Sequence, residues 1–229
     1  MKKYFLILAA VVMTTTGMNA QTATQLAKQQ LELNAIHMKM VNAKPSKAAK
    51  KQAKELKKAG WTEPAGEQSM EQQITISQLY GMEQMVDASG VTQRRFIQET
   101  GQQAAGSYNA AYAAARAAAQ TELAAMIQTE LVAAWQQKLD NAQTGAASAI
   151  TNDQFNQRVK AVIDQTLSNC IPVLAIYRRL PNNNFEVQVR IAYDKQTLMM
   201  QLRQNLQKEL QQEGDELEEI VDEIIEKKF

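Results

Sequence analysis

SYNAAYAAARAAAQTELAAMIQTELVAAWQQKL, residues 107–139, is the longest Gly- and Pro-free stretch of the chain that also carries a clear helical stripe. Its first half is nearly all Ala, Gln and Tyr, and its second half gains Leu, Met, Ile, Val and Trp. Ala has the highest helix propensity, so local preference alone makes this segment a helix. Tyr108, Tyr112, Ala115, Ala119, Leu123, Met126, Ile127, Leu131 and Trp135 follow steps of three and four and make one continuous face. Small residues at Ala111, Ala115 and Ala119 let another backbone come close, so this half is expected against a sheet. The bulky half is expected to meet a second helix over residues 155–170. Glu122 and Glu130 stand eight residues apart, about 12 Å of helical rise. That is too far for a coupled pair of acids, and they read as solvating residues or partners of Arg116 and Lys138.

On the C-terminal side, residues 141–150 are small and polar, a loop. Thr151 with Gln154 has capping-box spacing. Phe155, Val159, Val162, Ile163, Thr166, Leu167 and Cys170 then form an amphipathic helix, antiparallel to the first because the connection is short. Residues 171–180 are apolar and β-branched, with Pro172 near the start, where a strand tolerates it. After a turn at 181–184, Phe185, Val187, Val189, Ile191 and Tyr193 alternate with Glu186, Gln188, Arg190 and Ala192. The pattern predicts a strand with one buried face, paired with 171–180 as a hairpin. Asp194 caps a helix carrying Leu198, Leu202, Leu206 and Leu210, and Gly214 breaks it. Asp215 opens a last helix with Leu217, Ile220, Val221, Ile224 and Ile225. The span 209–226 holds nine acids and no basic residue. Its helical period and lack of a central Gly do not fit a calcium loop.

On the N-terminal side, Gly101 and Gly106 are expected to bracket a loop, preceded by a strand over 91–99 and a turn at 87–90. Ser69 with Gln72 has capping-box spacing and opens a helix through Met85, with Met70, Ile74 and Tyr80 on one side. The alternation Ile74-Thr75-Ile76 leaves a strand as the alternative there. Residues 61–66 are a loop. Ser46 caps a helix over 47–59 that Gly60 stops. It carries Lys47, Lys50, Lys51, Lys54, Lys57 and Lys58, with Lys44 just before it and Glu55 the only acid. Ala49, Ala53 and Leu56 form a thin apolar stripe that Trp61 can extend. That stripe is narrower than a membrane-surface helix needs, so a solvated lysine face is the preferred reading. Contact with an anionic phospholipid, lipopolysaccharide or acidic glycan is the other. Residues 21–41 read as a helix with Leu26, Leu33 and Met40 seven apart, fewer heptad positions than a coiled coil requires. The basic and the final acidic helix are complementary in charge.

The first twenty residues have the form of an export signal: Lys2 and Lys3, the apolar run 4–13, then a small residue, Ala20, before Gln21. The apolar run is about half the ~20 residues a spanning helix needs. No Cys stands near the cleavage point, so no lipid anchor is expected. The reading is a periplasmic, secreted or outer-membrane-associated chain with no transmembrane segment once the leader is removed.

The 229 residues have a net charge of +1, 29 Gln, 9 Gly and 4 Pro. Balanced charge gives no reason to expect nucleic acid as a partner. Few Gly and Pro favour helices over a many-stranded sandwich. The single Cys170 rules out an internal disulfide and any site built on several cysteines; its place at the end of an apolar stripe predicts burial, with a disulfide between chains in an oxidising compartment as the alternative. His37 is the only histidine and has no second ligand or paired acid beside it, so a structural or an exposed role is expected. There is no Gly-rich phosphate loop, HExxH or GxSxG. No catalytic, cofactor-binding or metal-ligating residue is nominated. Arg94, Arg95, Arg178, Arg179 and Arg190 fall on the proposed strands, as an anion-binding face or, preferably, as a solvated outer face.

Residues 96–194 resemble the LPP-twenty lipoprotein family and the related N-terminal domain of flagellar assembly protein T. The likeness is carried by Ala111, Ala115 and Ala119, by Glu122-Leu-Ala124 with Ile127, by Val173-Leu-Ala-Ile-Tyr177 and by the strand at 185–193. Glu55-Leu-Lys-Lys-Ala-Gly-Trp61 and Ile171-Pro-Val-Leu-Ala-Ile-Tyr-Arg-Arg-Leu-Pro181 also resemble exported proteins of gut Bacteroidetes. The resemblance implies a small α+β envelope domain without catalysis. The chain lacks the lipidated Cys of the lipoproteins.

The expected fold is α+β, a β-α-α-β-β-α domain whose three-stranded antiparallel sheet packs on the long Ala-rich helix. The expected organisation is a signal peptide (1–20), a helical extension with the basic segment (21–66), the core domain (67–194) and amphipathic acidic helices (195–229). The expected function is a non-catalytic envelope protein acting by protein–protein or self-association, with an anionic glycan or lipid surface as the alternative partner.

Overall fold

Every fourth residue of the long helix is sealed from solvent. Ala111, Ala115, Ala119, Leu123, Ile127, Leu131 and Trp135 are all at most 1% exposed. The computed structural model describes residues 20–86, 90–141, 152–167 and 170–210. Their order is α1 (Ala20–Val41), α2 (Lys47–Lys58), α3 (Met70–Met82), β1 (Gln84–Val86), β2 (Thr92–Arg94), β3 (Phe96–Ala105), α4 (Tyr108–Asn141), α5 (Asn152–Thr166), β4 (Ile171–Arg179), β5 (Phe185–Asp194) and α6 (Lys195–Leu210). The chain divides into two compact units between Ile36 and His37. The first contains the N-terminal part of α1, where Leu31 is exposed.

The fold is α+β, and β3-α4-α5-β4-β5-α6 follows the expected β-α-α-β-β-α order. The three strands form an antiparallel sheet in the order β3-β5-β4. One face is Val187, Val189, Ile191 and Tyr193 of β5 with Ile97 and Ala105 of β3, packed under α4, α5 and α6. Helix and sheet meet at Gly101. A Cβ there would lie 2.0 Å from the Ala115 carbonyl oxygen and 2.6 Å from the Ala119 nitrogen. The small-residue half of α4 therefore rests on the sheet, as its alanines predict. Its bulky half meets α5, which runs antiparallel: Gln120 Nε2 donates to the Leu167 carbonyl (3.1 Å), and eight residues on Gln128 Nε2 donates to Asn156 Oδ1 (2.6 Å).

The sheet's other face is covered by α2 and α3. Ala49 and Ala53 are fully buried, and Trp61 extends their stripe onto Met70, Ile74, Leu174 and Ile176. Ser46 caps α2 by accepting from the Ala49 N–H (2.9 Å). It also binds α3 twice, through Thr75 Oγ1 (3.1 Å) and Gln78 Oε1 (3.1 Å). Asp194 caps α6 through the Thr197 N–H (3.0 Å).

Three local expectations need correction. The helix opened by Ser69 stops at Met82 and does not reach Met85, because Glu83 turns extended and residues 84–86 pair with 92–94 as a small hairpin. Val86, Val91 and Thr92 around a turn signal favour strand over helix. Ile74, Thr75 and Ile76 are helical, and all three are buried because α3 is enclosed on most sides. The helix expected there holds, and the strand alternative falls. The strand expected at 91–99 is two strands, broken at Arg95. The second runs on through Gly101 to Ala105, so Gly101 is not in a loop. Its glycine marks the approach of α4, a use of Gly that resembles a turn in sequence alone.

Residues 1–19 of the leader, 87–89 of the turn expected at 87–90, 142–150 of the loop expected at 141–150, the Thr151 cap, and the Gly214 break with the last acidic helix lie outside the described residues.

Candidate functional site

The strand arginines point to different tasks. Arg95, almost fully buried, donates from Nε to Asp194 Oδ1 at 2.7 Å. Its backbone N–H goes to the Glu83 carbonyl and its carbonyl receives the Lys195 N–H, both at 2.9 Å. Arg178 pairs with Glu186 and lies over the Trp61 ring, 4.8 Å from its centroid. Arg179 lies over Phe185 at 4.6 Å. Arg190 donates to Thr100 Oγ1 (2.8 Å) and Ser77 Oγ (3.1 Å). Arg94 is exposed on the separate β1–β2 hairpin. They make no common anion-binding face: four of the five are tied into the protein's own structure.

Between α3 and the sheet lies a polar layer that sequence reading did not identify. Ser77, 2% exposed, donates to Gln98 Oε1 (3.2 Å), and Gln98 Nε2 returns to the Ser77 carbonyl (2.9 Å). Gln73 Oε1 accepts the Ala175 N–H at 2.8 Å. The signal for this layer was the even-numbered polar run Gln98, Thr100, Gln102 on β3, in register with Ala192, Arg190 and Gln188. The groups satisfy one another, as buried polar atoms must.

His37 Nδ1 lies 2.8 Å from Tyr80 Oη, and Tyr80 stacks edge-on against Phe96 with centroids 4.6 Å apart. Burial lowers the His37 pKa and raises that of Tyr80. This pair joins the end of α1 to α3, which is the structural one of the two roles expected, structural or exposed.

An open groove of about 640 Å³ runs along α4 and α5, lined by Tyr112, Arg116, Gln120 and Asp164 together with Ala113 and Ala117. Arg116 Nη2 donates to the Cys170 carbonyl at 3.5 Å. Cys170 is buried, as expected, and burial pushes its thiol up to about 12, far from a reactive thiolate. Glu122 is exposed to solvent. The groove offers one guanidinium, one carboxylate and the hydroxyls of Tyr112 and Thr121.

On α2, Lys47, Lys50, Lys51, Lys54 and Lys58 are exposed, while Lys57 pairs with Glu71 at 2.9 Å. Ala49 and Ala53 hold the helix from the opposite side. Among the described residues, no three His, Cys, Asp or Glu side chains stand close enough to share a metal ion. No helix among them is long and apolar enough to cross a membrane. Compared with protein-family models, curated proteins and solved structures, the chain matches none.

Proposed function

We propose that the chain is an exported, non-catalytic cell-envelope protein that works by association with other protein chains, first of all with its own copies. One observation carries this reading. Met82, Val86 and Val91 are 64%, 62% and 58% exposed on the β1–β2 hairpin and the helix end that leads into it. Single exposed apolar residues are ordinary, but two on one short hairpin with a third on the helix end just before it mark a contact surface. The form of residues 1–20 supports export, and the likeness of residues 96–194 to envelope domains supports the setting. Light scattering of the purified protein from low to high micromolar concentration tests the reading. A mass rising above the monomer is expected, and a constant monomer mass at high micromolar concentration overturns it.

The lysine face of α2 favours a second reading, an anionic glycan or lipid surface as partner. A helix anchored by Ala49, Ala53 and Trp61 presents its charges in a fixed row, which lowers the ordering cost of binding a polyanion. Replacing the exposed lysines by Gln is expected to abolish pelleting with anionic vesicles. Unchanged pelleting excludes this face.

A further inference from the structure

The two edges of the three-stranded sheet are finished differently. On β4, the N–H of Ala175 is taken by Gln73 Oε1 at 2.8 Å. Thr62 bridges Tyr177 through both backbone groups, each at 2.8 Å. Pro172 and the irregularity between Pro172 and Leu174 finish that edge. These are the devices by which proteins blunt an edge strand. β3 has none of them. Phe96–Ala105 (FIQETGQQAA) is ten residues of strand without Pro, Lys, Arg or bulge, and Glu99 is its only charge. Among the described residues, no backbone group pairs with its outer side.

The register tells which groups point outward. Ala175 and Tyr177 direct their backbone groups away from β5, so their opposites Val189 and Val187 direct theirs toward β3. Gly101 and Gln103, opposite Val189 and Val187, therefore point inward. Direction alternates along a strand, so Gln98, Thr100, Gln102 and Ala104 present their N–H and C=O groups to the outside.

We infer that the β3 edge is the self-association surface, taking the β3 edge of a second copy in antiparallel, two-fold pairing. This rests on the association reading above and names its partner and geometry. Two copies meet there without like-charge opposition in any register except one centred on Glu99. The joined sheet runs β4-β5-β3-β3-β5-β4, so its outer edges are the sealed β4 edges and assembly closes at two. Antiparallel pairing also sets the hairpin that precedes β3, with Met82, Val86 and Val91, beside the Ala104–Ala105 end of the other copy.

Gln102→Pro removes one outward N–H and leaves the β3–β5 ladder intact, whereas Gln103→Pro removes an inward one. By light scattering, Gln102→Pro is expected to raise the dimer dissociation constant about tenfold or more, with a circular dichroism spectrum like that of the parent protein. Amide exchange followed by NMR on the unaltered protein gives a second readout. The amides of Gln98, Thr100, Gln102 and Ala104 are expected to become protected as concentration rises. If the protein dimerises while Gln102→Pro dimerises equally well, or those four amides stay unprotected in the dimer, this edge is not the interface and the association reading survives. If the unaltered protein stays monomeric at high micromolar concentration, both fall.

Discussion

Gly101 shows how one side chain fewer sets the spacing of a fold. With a Cβ placed 2.0 Å from one backbone atom of α4 and 2.6 Å from another, no rotamer adjustment can make room. Gly101→Ala is expected to destabilise the protein by about 3 kcal/mol, the upper end for overpacking a tight core, measured by urea unfolding. A loss under about 0.5 kcal/mol, the range of an ordinary surface change, would show that helix and strand can part freely here. His37 gives the pH dependence. Its folded pKa lies below the ordinary value of 6.5 because half-burial beside Tyr80 disfavours the charged ring. The unfolded chain then binds more protons in the window beneath 6.5, so stability rises with pH there and is lost as pH falls from 6.5 toward the folded pKa. His37→Gln is expected to flatten that part of a denaturation-midpoint-versus-pH curve, and an unchanged slope would show that His37 does not cause it. The burial of Cys170 was legible in the sequence from its place in a stripe, whereas for His37 the absence of a second ligand left a structural and an exposed role both open. The polar layer of Ser77, Gln98 and Arg190 was not legible. Each looks like an ordinary surface residue until the register brings it against the others.

At the level of elements, periodicity was enough wherever one face is apolar and the other wet. α2, α4, α5 and β5 all carry that contrast, and all lie where their patterns put them. It left a strand alternative open where an element is enclosed, as in α3, whose five consecutive buried residues from Gln73 to Ser77 blur the helical contrast, although the cap spacing of Ser69 and Gln72 still gave the helix. It failed at Arg95, where a break in β-structure is made by a tertiary ion pair with a residue ninety-nine positions away. The start of α2 illustrates an element held by its cap. Ser46 closes the helix with its oxygen and also docks it on α3 through Thr75 and Gln78. Ser46→Ala is expected to cost about 2 kcal/mol, the high end for a cap, because a docking bond goes with it. Lys50→Gln, on the exposed face of the same helix, is expected to stay within about 0.5 kcal/mol of the parent. Equal effects of the two in thermal unfolding would mean that the cap contributes nothing to docking.

Across the whole molecule, the sheet divides two unlike layers. Beneath α4, α5 and α6 the contacts are almost wholly apolar. Beneath α3 they alternate with hydrogen bonds that water can replace. Local opening is expected on the polar side first. Hydrogen-exchange mass spectrometry is expected to show peptides from α2 and α3 exchanging faster than those from β5, and equal protection would show that the two layers open as one. The apolar layer has a further property that follows from the stripe on α4. A step of four residues overshoots one turn by about 40°, so from Ala111 to Trp135 the sealed row winds about 240° around the axis. The helix is thus threaded like a bolt: a slide that keeps the row in its seat must also turn it, and a slide of four residues toward its N-terminus, about 6 Å with a turn of about 40°, would drive Leu123 into the place of Ala119. A pull along α4 would meet a ratchet made of side-chain size, and the protein should yield by tearing open before it yields by slipping.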